Sequence, residues 1–132
     1  MKSEILKICS GAPWETTVGY SRAIKRGPGI WISGNKAMQD EKDQAPGDRN
    51  QQARRCLELI GAALQACGAG WKDVVRTRMY VTDISQWEEV GKAHGEYLSD
   101  VRPAATMVEV KGLIHPDLVV EIEVDAWLDE FD

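Results

Sequence analysis

Apolar and polar residues alternate strictly along much of the stretch from Arg102 to Trp127, where two runs flank a loop carrying Gly112 and Pro116. This alternation predicts two β-strands, and we expect them to be adjacent. The second run places on one face Leu118, Val120, Ile122, Val124 and Ala126, and on the other Val119, Glu121, Glu123, Asp125 and Trp127. The first set predicts a core face. A row of three carboxylates must meet water, cations or a partner surface, so we look for function on that second face.

Further strands are predicted in the first part of the chain. Residues 4–9 alternate, and residues 19–33 form two β-rich pieces around Gly27-Pro28-Gly29, which is a hairpin signal. Ser33-Gly34-Asn35 ends the second piece with a residue that lacks a Cβ, as is typical where the backbone bends or approaches another group closely. The charged segment 36–46 has no periodicity and predicts a solvated loop.

An amphipathic helix is predicted next, over residues 48–67. Asp48 and Gln51 have the spacing of a capping box, and apolar residues recur at the helical period up to Cys67. Gly68 closes the helix at the usual place for a residue of positive φ.

A strand and a second helix complete the pattern. The strand is Val74–Val81, with Val75, Thr77, Met79 and Val81 expected on one face and Val74, Arg76, Arg78 and Tyr80 on the other. Ser85 and Glu88 predict another capping box, which opens a helix that runs to about Asp100.

This order of elements predicts an α+β fold with a single sheet of five to six strands and two helices on one face. Two helices cannot cover both faces of such a sheet, so the second face must be solvated or covered by another subunit. We expect a closed homo-oligomer with sites in the clefts between chains. The residues assigned to the second face mix charge and apolar bulk: Arg76, Arg78, Met107, Glu109, Glu121 and Glu123.

Composition narrows the function classes. The 132 residues suffice for one domain, 1–132, and a net charge of −5 argues against nucleic acid as the main partner, because phosphate contacts need clustered Lys and Arg. The three cysteines, Cys9, Cys56 and Cys67, show no zinc-binding spacing and predict reduced thiols in a cytoplasmic protein. No apolar run approaches the roughly 20 residues of a membrane span, and we expect neither a metal nor another cofactor.

Taken together and in order, several short motifs resemble the RidA family, also called YjgF or L-PSP endoribonuclease-like. They are Gly19-Tyr20, Ser33-Gly34, the helix 48–67, the Asp73–Asp83 strand, Arg102-Pro103-Ala104 leading to Val108-Glu109-Val110, and Glu121-Ile122-Glu123. The resemblance covers nearly the whole chain. It implies a chorismate-mutase-like fold and a homotrimer whose sheets form a central β-barrel, with three clefts between subunits.

The resemblance also implies an activity, the hydrolysis of reactive enamines and imines to 2-oxo acids and ammonia. A glutamate that holds water matches Glu121, the tyrosine of the glycine-tyrosine pair matches Tyr20, and Gly34 falls where the family's backbone lines the cleft. The arginine that grips the substrate carboxylate has no match, because that position is Ala105. A methyl group cannot replace the bidentate grip of a guanidinium, so we expect weak or absent deamination of ordinary 2-imino acids.

Two more positions depart from the family pattern, where an asparagine is replaced by Gly91 and a small thiol residue by Met107. Arg22 and Arg78 are candidate substitutes for the missing arginine, although Arg22 could be a surface charge and Arg78 could pair with Glu109 or Glu123. Glu121 could likewise be only a salt-bridged residue.

Without a second ligand at i+3 or i+4, His94 is predicted to be a helix residue hydrogen-bonded to the backbone, and His115 a plain surface residue. The chain is therefore expected to be either a hydrolase or deaminase of imines, or a homotrimer that binds a small carboxylate or imine metabolite without catalysis. A ribonuclease activity follows only from a family name, and the negative net charge of the chain disfavours it.

Overall fold

A computed structural model of the chain describes residues 5–35, 38–39, 42–43 and 48–129. The predicted mixed α+β architecture is confirmed: one six-stranded sheet and two main helices are found within these residues. The elements are β1 (Ile5–Ile8), β2 (Ala23–Arg26), β3 (Gly29–Asn35), β4 (Met38–Gln39), β5 (Lys42–Asp43), α1 (Arg49–Ala66), β6 (Val74–Val81), α2 (Trp87–Leu98), β7 (Ala104–Glu109) and β8 (Val120–Trp127). Among the described residues, neither α1 nor α2 has the combined length and apolar character of a membrane-spanning helix.

The six strands of the sheet follow the order β1-β2-β3-β8-β6-β7. The expectation that the two C-terminal strands are adjacent is therefore wrong, because β6 lies between β7 and β8. Helix α2 is the crossover that returns the chain parallel to β6, so β7 pairs with the outer edge of β6. The inner edge of β6 remains for β8, which pairs with it in antiparallel fashion.

Helix α1 begins and ends as predicted. The Asp48 side chain accepts a hydrogen bond of 3.0 Å from the Gln51 N–H, and Gly68 has a φ of 77°. The inner face of the helix packs on the apolar face of the sheet, and full burial of each large aliphatic side chain there stabilises the fold by roughly 1.5–3 kcal/mol. The core includes Leu57, Ile60, Leu64, Val120, Ile122 and Val124.

The predicted faces of β6 are partly wrong. A β-bulge between Val74 and Arg76 inserts one residue against β8, so Val74 is buried opposite Ala126 while Val75 is 50% exposed. From Arg76 onward the alternation holds: Thr77, Met79 and Val81 are buried, and Arg76, Arg78 and Tyr80 lie on the opposite face. We call that second face, away from the helices, the open face.

The predicted face is also wrong for Met107 and Glu109. In the parallel ladder Met107 pairs with the buried Met79, and Glu109 pairs with the buried Val81. Register partners in a ladder project to the same side, so both side chains point to the helix side of the sheet. Met107 accordingly packs against the core.

Three local predictions also change. The chain from Glu15 to Gly19 forms a short π-helix, so β2 begins at Ala23 rather than near Gly19. The Ser85 capping box does not form, because a 3₁₀ turn precedes α2 and Asp83 caps that turn instead. Most of the predicted loop 36–46 lies outside the described residues, and its described part pairs as the short β4–β5 ladder rather than forming a loop throughout.

Candidate functional site

The carboxylate of Glu121 lies directly against the backbone of Gly34 on the open face. A Cβ placed on Gly34 would lie 2.6 Å from Oε2 of Glu121 and 2.7 Å from its carboxyl carbon. The sequence prediction of a close approach at Gly34 is therefore confirmed, and the approaching group is a carboxylate. A register shift in β3 between Ile32 and Asn35 accompanies this contact.

Arg22 reaches the same glycine from the end of β2. Its Nη1 donates a hydrogen bond of 2.8 Å to the Gly34 carbonyl and one of 3.3 Å to the Ser33 hydroxyl. The guanidinium carbon lies 6.0 Å from the centre of the Tyr20 ring, within the range of a cation–π contact. We call Tyr20, Arg22, Gly34 and Glu121 the glycine corner.

The segment that carries Tyr20 and Arg22 is held by a buried carboxylate. Glu15 accepts hydrogen bonds from the backbone N–H and the hydroxyl of Ser10. The Ser10 hydroxyl lowers the pKa of the Glu15 carboxyl, and the charge of Arg22 acts in the same direction. At the end of the π-helix, the Tyr20 N–H donates a hydrogen bond to the Glu15 carbonyl. Glu15 therefore contacts the chain before the turn through its side chain and the chain after the turn through its backbone.

A second polar group crosses the middle of the open face, where β6 pairs with β8. Nη1 of Arg78 lies 3.2 Å from Asp125 and 3.8 Å from Glu123. The hydroxyl of Tyr80 donates a hydrogen bond of 2.5 Å to Glu123. That bond, with burial and the negative charge of Glu123, raises the pKa of Tyr80 to about 12. We call Arg78, Tyr80, Glu123 and Asp125 the charge ladder.

Sequence reasoning missed the role of Tyr80. The period-2 pattern already placed it on the face of Arg78, but the pattern carries no information on register. In the structure Tyr80 is the direct cross-strand partner of Glu121, and Arg78 is that of Glu123. The carboxylate predicted to be functional therefore has a phenol as its neighbour. The predicted alternative in which Arg78 pairs with Glu123 is confirmed, and the pairing with Glu109 is wrong.

Ala105 and Met107 lie away from the glycine corner. Ala105 pairs with the buried Thr77 in the parallel ladder, so its methyl group points to the helix side of the edge strand β7. Within one chain these two predicted site residues and Glu121 are on opposite faces of the sheet. Gly91, the other departure from the family pattern, packs under the ring of Trp87, which would lie 3.5 Å from a Cβ at that position.

The histidines have structural contacts. Nε2 of His94 lies 2.9 Å from the hydroxyl of the buried Thr77, a side-chain contact rather than the expected backbone one, and burial lowers the pKa of the imidazole. His115 accepts a hydrogen bond from the Asp117 N–H in its own loop. Within the described residues no three His, Cys, Asp or Glu side chains cluster closely enough to hold a metal ion.

Comparisons with known proteins place this geometry in a family. The profile of the family described as Endoribonuclease L-PSP matches residues 10–128. The chain belongs to the RidA family, also called YjgF or L-PSP. A crystal structure of a YjgF-family protein from Mycobacterium tuberculosis is 43% identical and superimposes with a TM-score of 0.86, over 95% of this chain and 100% of that one.

Two curated RidA relatives carry the names of enzymes. The 3-aminoacrylate deaminase RutC of Acinetobacter baylyi is 31% identical over 104 residues, which cover 78% of this chain and 82% of that protein. The 2-iminobutanoate/2-iminopropanoate deaminase of Bos taurus is 30% identical over 115 residues, which cover 86% of this chain and 84% of that protein. Both names describe the removal of nitrogen from an enamine or an imine.

Proposed function

We propose that this RidA-family protein binds a small anionic imine or enamine at the glycine corner and hydrolyses its carbon–nitrogen bond. The observation that carries the proposal is the carboxylate of Glu121 held against the backbone of Gly34. The names of the two deaminase relatives support the reaction class.

Glu121 is the proposed general base. It accepts a proton from a water molecule whose oxygen attacks the imine carbon, and the tetrahedral product is a carbinolamine. Proton transfer to nitrogen then allows the C–N bond to break, which releases ammonia and leaves a carbonyl group. An enamine first takes a proton on carbon to become the imine. One water is consumed for each ammonia released, and no oxidant or reductant is needed.

Arg22 is the proposed anchor for the anionic group of the substrate. Its hydrogen bonds are to neutral oxygens, and no ion pair to it is found within the part of the chain that the structure describes. A guanidinium in that state keeps its charge available for a carboxylate. Arg78 is a poorer candidate, because two carboxylates already compensate its charge.

We further propose that the complete site forms between chains of a homotrimer. Ala105 and Met107 occupy the helix side of β7 while Glu121 occupies the open face, so a cleft lined by all three requires two copies of the chain. The open face also exposes Trp31 and Trp127, at 47% and 52%, as expected of a surface that a partner covers. Light scattering tests the assembly, and a monomer would contradict it.

A metabolite-binding homotrimer without catalysis is the second candidate. Ala105 supports it, because the methyl group leaves the helix-side half of the proposed cleft without the arginine that binds carboxylates in deaminating relatives. On the first account we expect slow turnover of ordinary 2-imino acids, since an anchor at Arg22 holds the anionic group at a different place, and on the second account we expect none.

The decisive experiment follows imine loss. An amino-acid oxidase generates a 2-imino acid, or 2-aminoacrylate is released from serine, and its decay is measured with and without the protein. We expect acceleration by the wild type and a loss of about 100-fold in Glu121→Gln, as is typical for removal of a general base.

Glu123→Gln is the matched control, because it makes the same change two residues along the same strand and face. It should retain most of the acceleration. No acceleration by the folded wild type would reject hydrolysis of these substrates. Binding of a 2-oxo acid by that inactive protein would then support the second candidate.

A further inference from the structure

A fully buried glutamine on α1 contacts the backbone just before Glu121. Gln52 has no exposed surface, and its Nε2 donates a hydrogen bond of 2.8 Å to the Asp117 carbonyl. Its Oε1 accepts one of 2.8 Å from the Val119 N–H. A single amide therefore serves as donor and acceptor to the loop that leads into β8, which only a side chain with both functions can do.

The same loop is held from its other side. The Val119 carbonyl accepts a hydrogen bond of 3.1 Å from the Thr82 N–H, which follows β6. Val119 is thus fixed between α1 and the end of β6, two residues before Glu121. Small displacements at this point must move the start of β8, because the intervening residue Val120 is fully buried.

One helical turn further along α1, Cys56 approaches the other half of the glycine corner. Its Sγ lies 3.0 Å from the carbonyl of Asn35, the residue after Gly34, and 3.9 Å from that of Val120. The inner face of α1 therefore contacts both backbone segments that bring Gly34 and Glu121 together. Of these contacts, the two made by Gln52 are the shorter and the better suited to fix direction.

We propose that Gln52 is a positioning residue that sets the Glu121 carboxylate over Gly34, acting through the backbone of residues 117–119. Its effect on rate rests on the proposed function, but its effect on the placement of Glu121 does not. The test therefore combines a physical measurement on Glu121 with a kinetic one.

The first variant is Gln52→Met, which keeps the length of the side chain and removes both hydrogen bonds to residues 117–119. The carboxyl pKa values of Glu121 and Glu123 are measured by carbon-13 NMR in the folded protein. We expect the pKa of Glu121 to move by about half a unit or more, because its surroundings change, while that of Glu123 stays near its wild-type value. Gln51→Met is the matched control, an exposed neighbour on the same helix, and should change neither.

In the imine assay Gln52→Met should lower kcat by about tenfold or more and leave KM near the wild-type value, since misplacement of a base affects chemistry more than anion binding. An unchanged Glu121 pKa in folded Gln52→Met would overturn the inference. A wild type without turnover would reject the proposed function, and the NMR titration would still decide the positioning role.

Gln52→Glu keeps the test decisive if the methionine variant does not fold. A protonated carboxyl has one donor and one acceptor and can replace both amide contacts, whereas the ionised form cannot donate to the Asp117 carbonyl. The amide NMR signals of Gly34 and Glu121 should therefore match the wild type, compared at the same pH, only when the introduced carboxyl is protonated. Amide signals of Gly34 and Glu121 that do not change as the introduced carboxyl titrates would contradict the inference.

Discussion

Arg22 and Arg78 each stand beside the open face of the sheet, and their surroundings differ. Arg22, in the glycine corner, donates to a carbonyl and a hydroxyl, both neutral. Arg78, in the charge ladder, lies between two carboxylates at 3.2 and 3.8 Å. The same side chain is thus an available cation in one region and half of a local ion-pair network in the other.

The different surroundings of the two arginines indicate where an anionic ligand can bind. An anion that approaches Arg78 must compete with Asp125 and Glu123, which are already in place, whereas an anion at Arg22 replaces no ion pair within the described residues. The same contrast applies to the carboxylates. Glu123 accepts a hydrogen bond from Tyr80, while the Glu121 carboxylate lies close to the backbone of Gly34.

The sharpest way to break the glycine corner is Gly34→Ala. The added Cβ would lie 2.6 Å from Oε2 of Glu121, so the flexible carboxylate must move while the strand remains. We expect turnover of the imine to fall by about 100-fold, which is the scale of a misplacement of about 1 Å. The imine assay measures it, and circular dichroism checks that the fold persists.

Gly29→Ala provides the matched control on the same strand. Its Cβ would meet the ring of Trp31 at 2.3 Å, so that variant is crowded as well but away from Glu121. It should lose stability and keep its turnover per folded molecule. Equal losses of turnover in the two variants would mean that crowding of β3, rather than Glu121, limits the reaction.

The charge ladder is tested by the titration of Tyr80. Its pKa is raised to about 12, chiefly by the hydrogen bond to Glu123, so this bond stabilises the fold fully below the ordinary value of 10.0 and is lost as pH rises through about 12. In Glu123→Gln we expect the pKa of Tyr80 to fall by roughly one unit or more, because the negative partner is gone.

Ultraviolet absorbance of the phenolate measures the titration, and Tyr80→Phe identifies its contribution among the three tyrosines. The Glu121→Gln variant should leave most of the shift in place, since Glu121 is only a minor cause of it. An unchanged Tyr80 pKa in Glu123→Gln would contradict the contacts described for the charge ladder.

A smaller effect is expected at Glu15, which supports the glycine corner from behind. Its pKa is lowered by the Ser10 hydroxyl, so its stabilisation is complete above the ordinary value of 4.5 and disappears as pH falls through the lowered value. Glu15→Gln should lower Tm by a few degrees at neutral pH and by less in acid. Thermal denaturation across pH measures this, with Glu89→Gln as a control at an exposed carboxylate.

Much of the fold was predictable because it follows from local patterns. Asp48 and Gly68 mark the ends of α1 chemically, and the alternation along β8 assigns both faces of that strand correctly. Gly34 was predictable as a point of close approach for the same reason, since a glycine inside a strand signals missing space for a side chain.

Long-range features were not predictable from one sequence. The bulge at Val74–Arg76 changes the face of Val75 without any local signal, and the crossover through α2 determines that β7 joins the outer edge of β6. No local pattern distinguishes Gln52 from the other polar residues of α1, because the loop residues that it contacts are 65 and 67 positions away. Pairings at such separations depend on the assembled sheet rather than on spacing.

The comparison between the two arginines is tested most directly by the binding of pyruvate, a small 2-oxo acid, to Arg22→Met and Arg78→Met, measured by calorimetry or NMR. We expect Arg22→Met to weaken binding by about tenfold or more, as for loss of a charged hydrogen bond, while Arg78→Met stays close to the wild type. Wild-type affinity in Arg22→Met together with lost affinity in Arg78→Met would contradict the account.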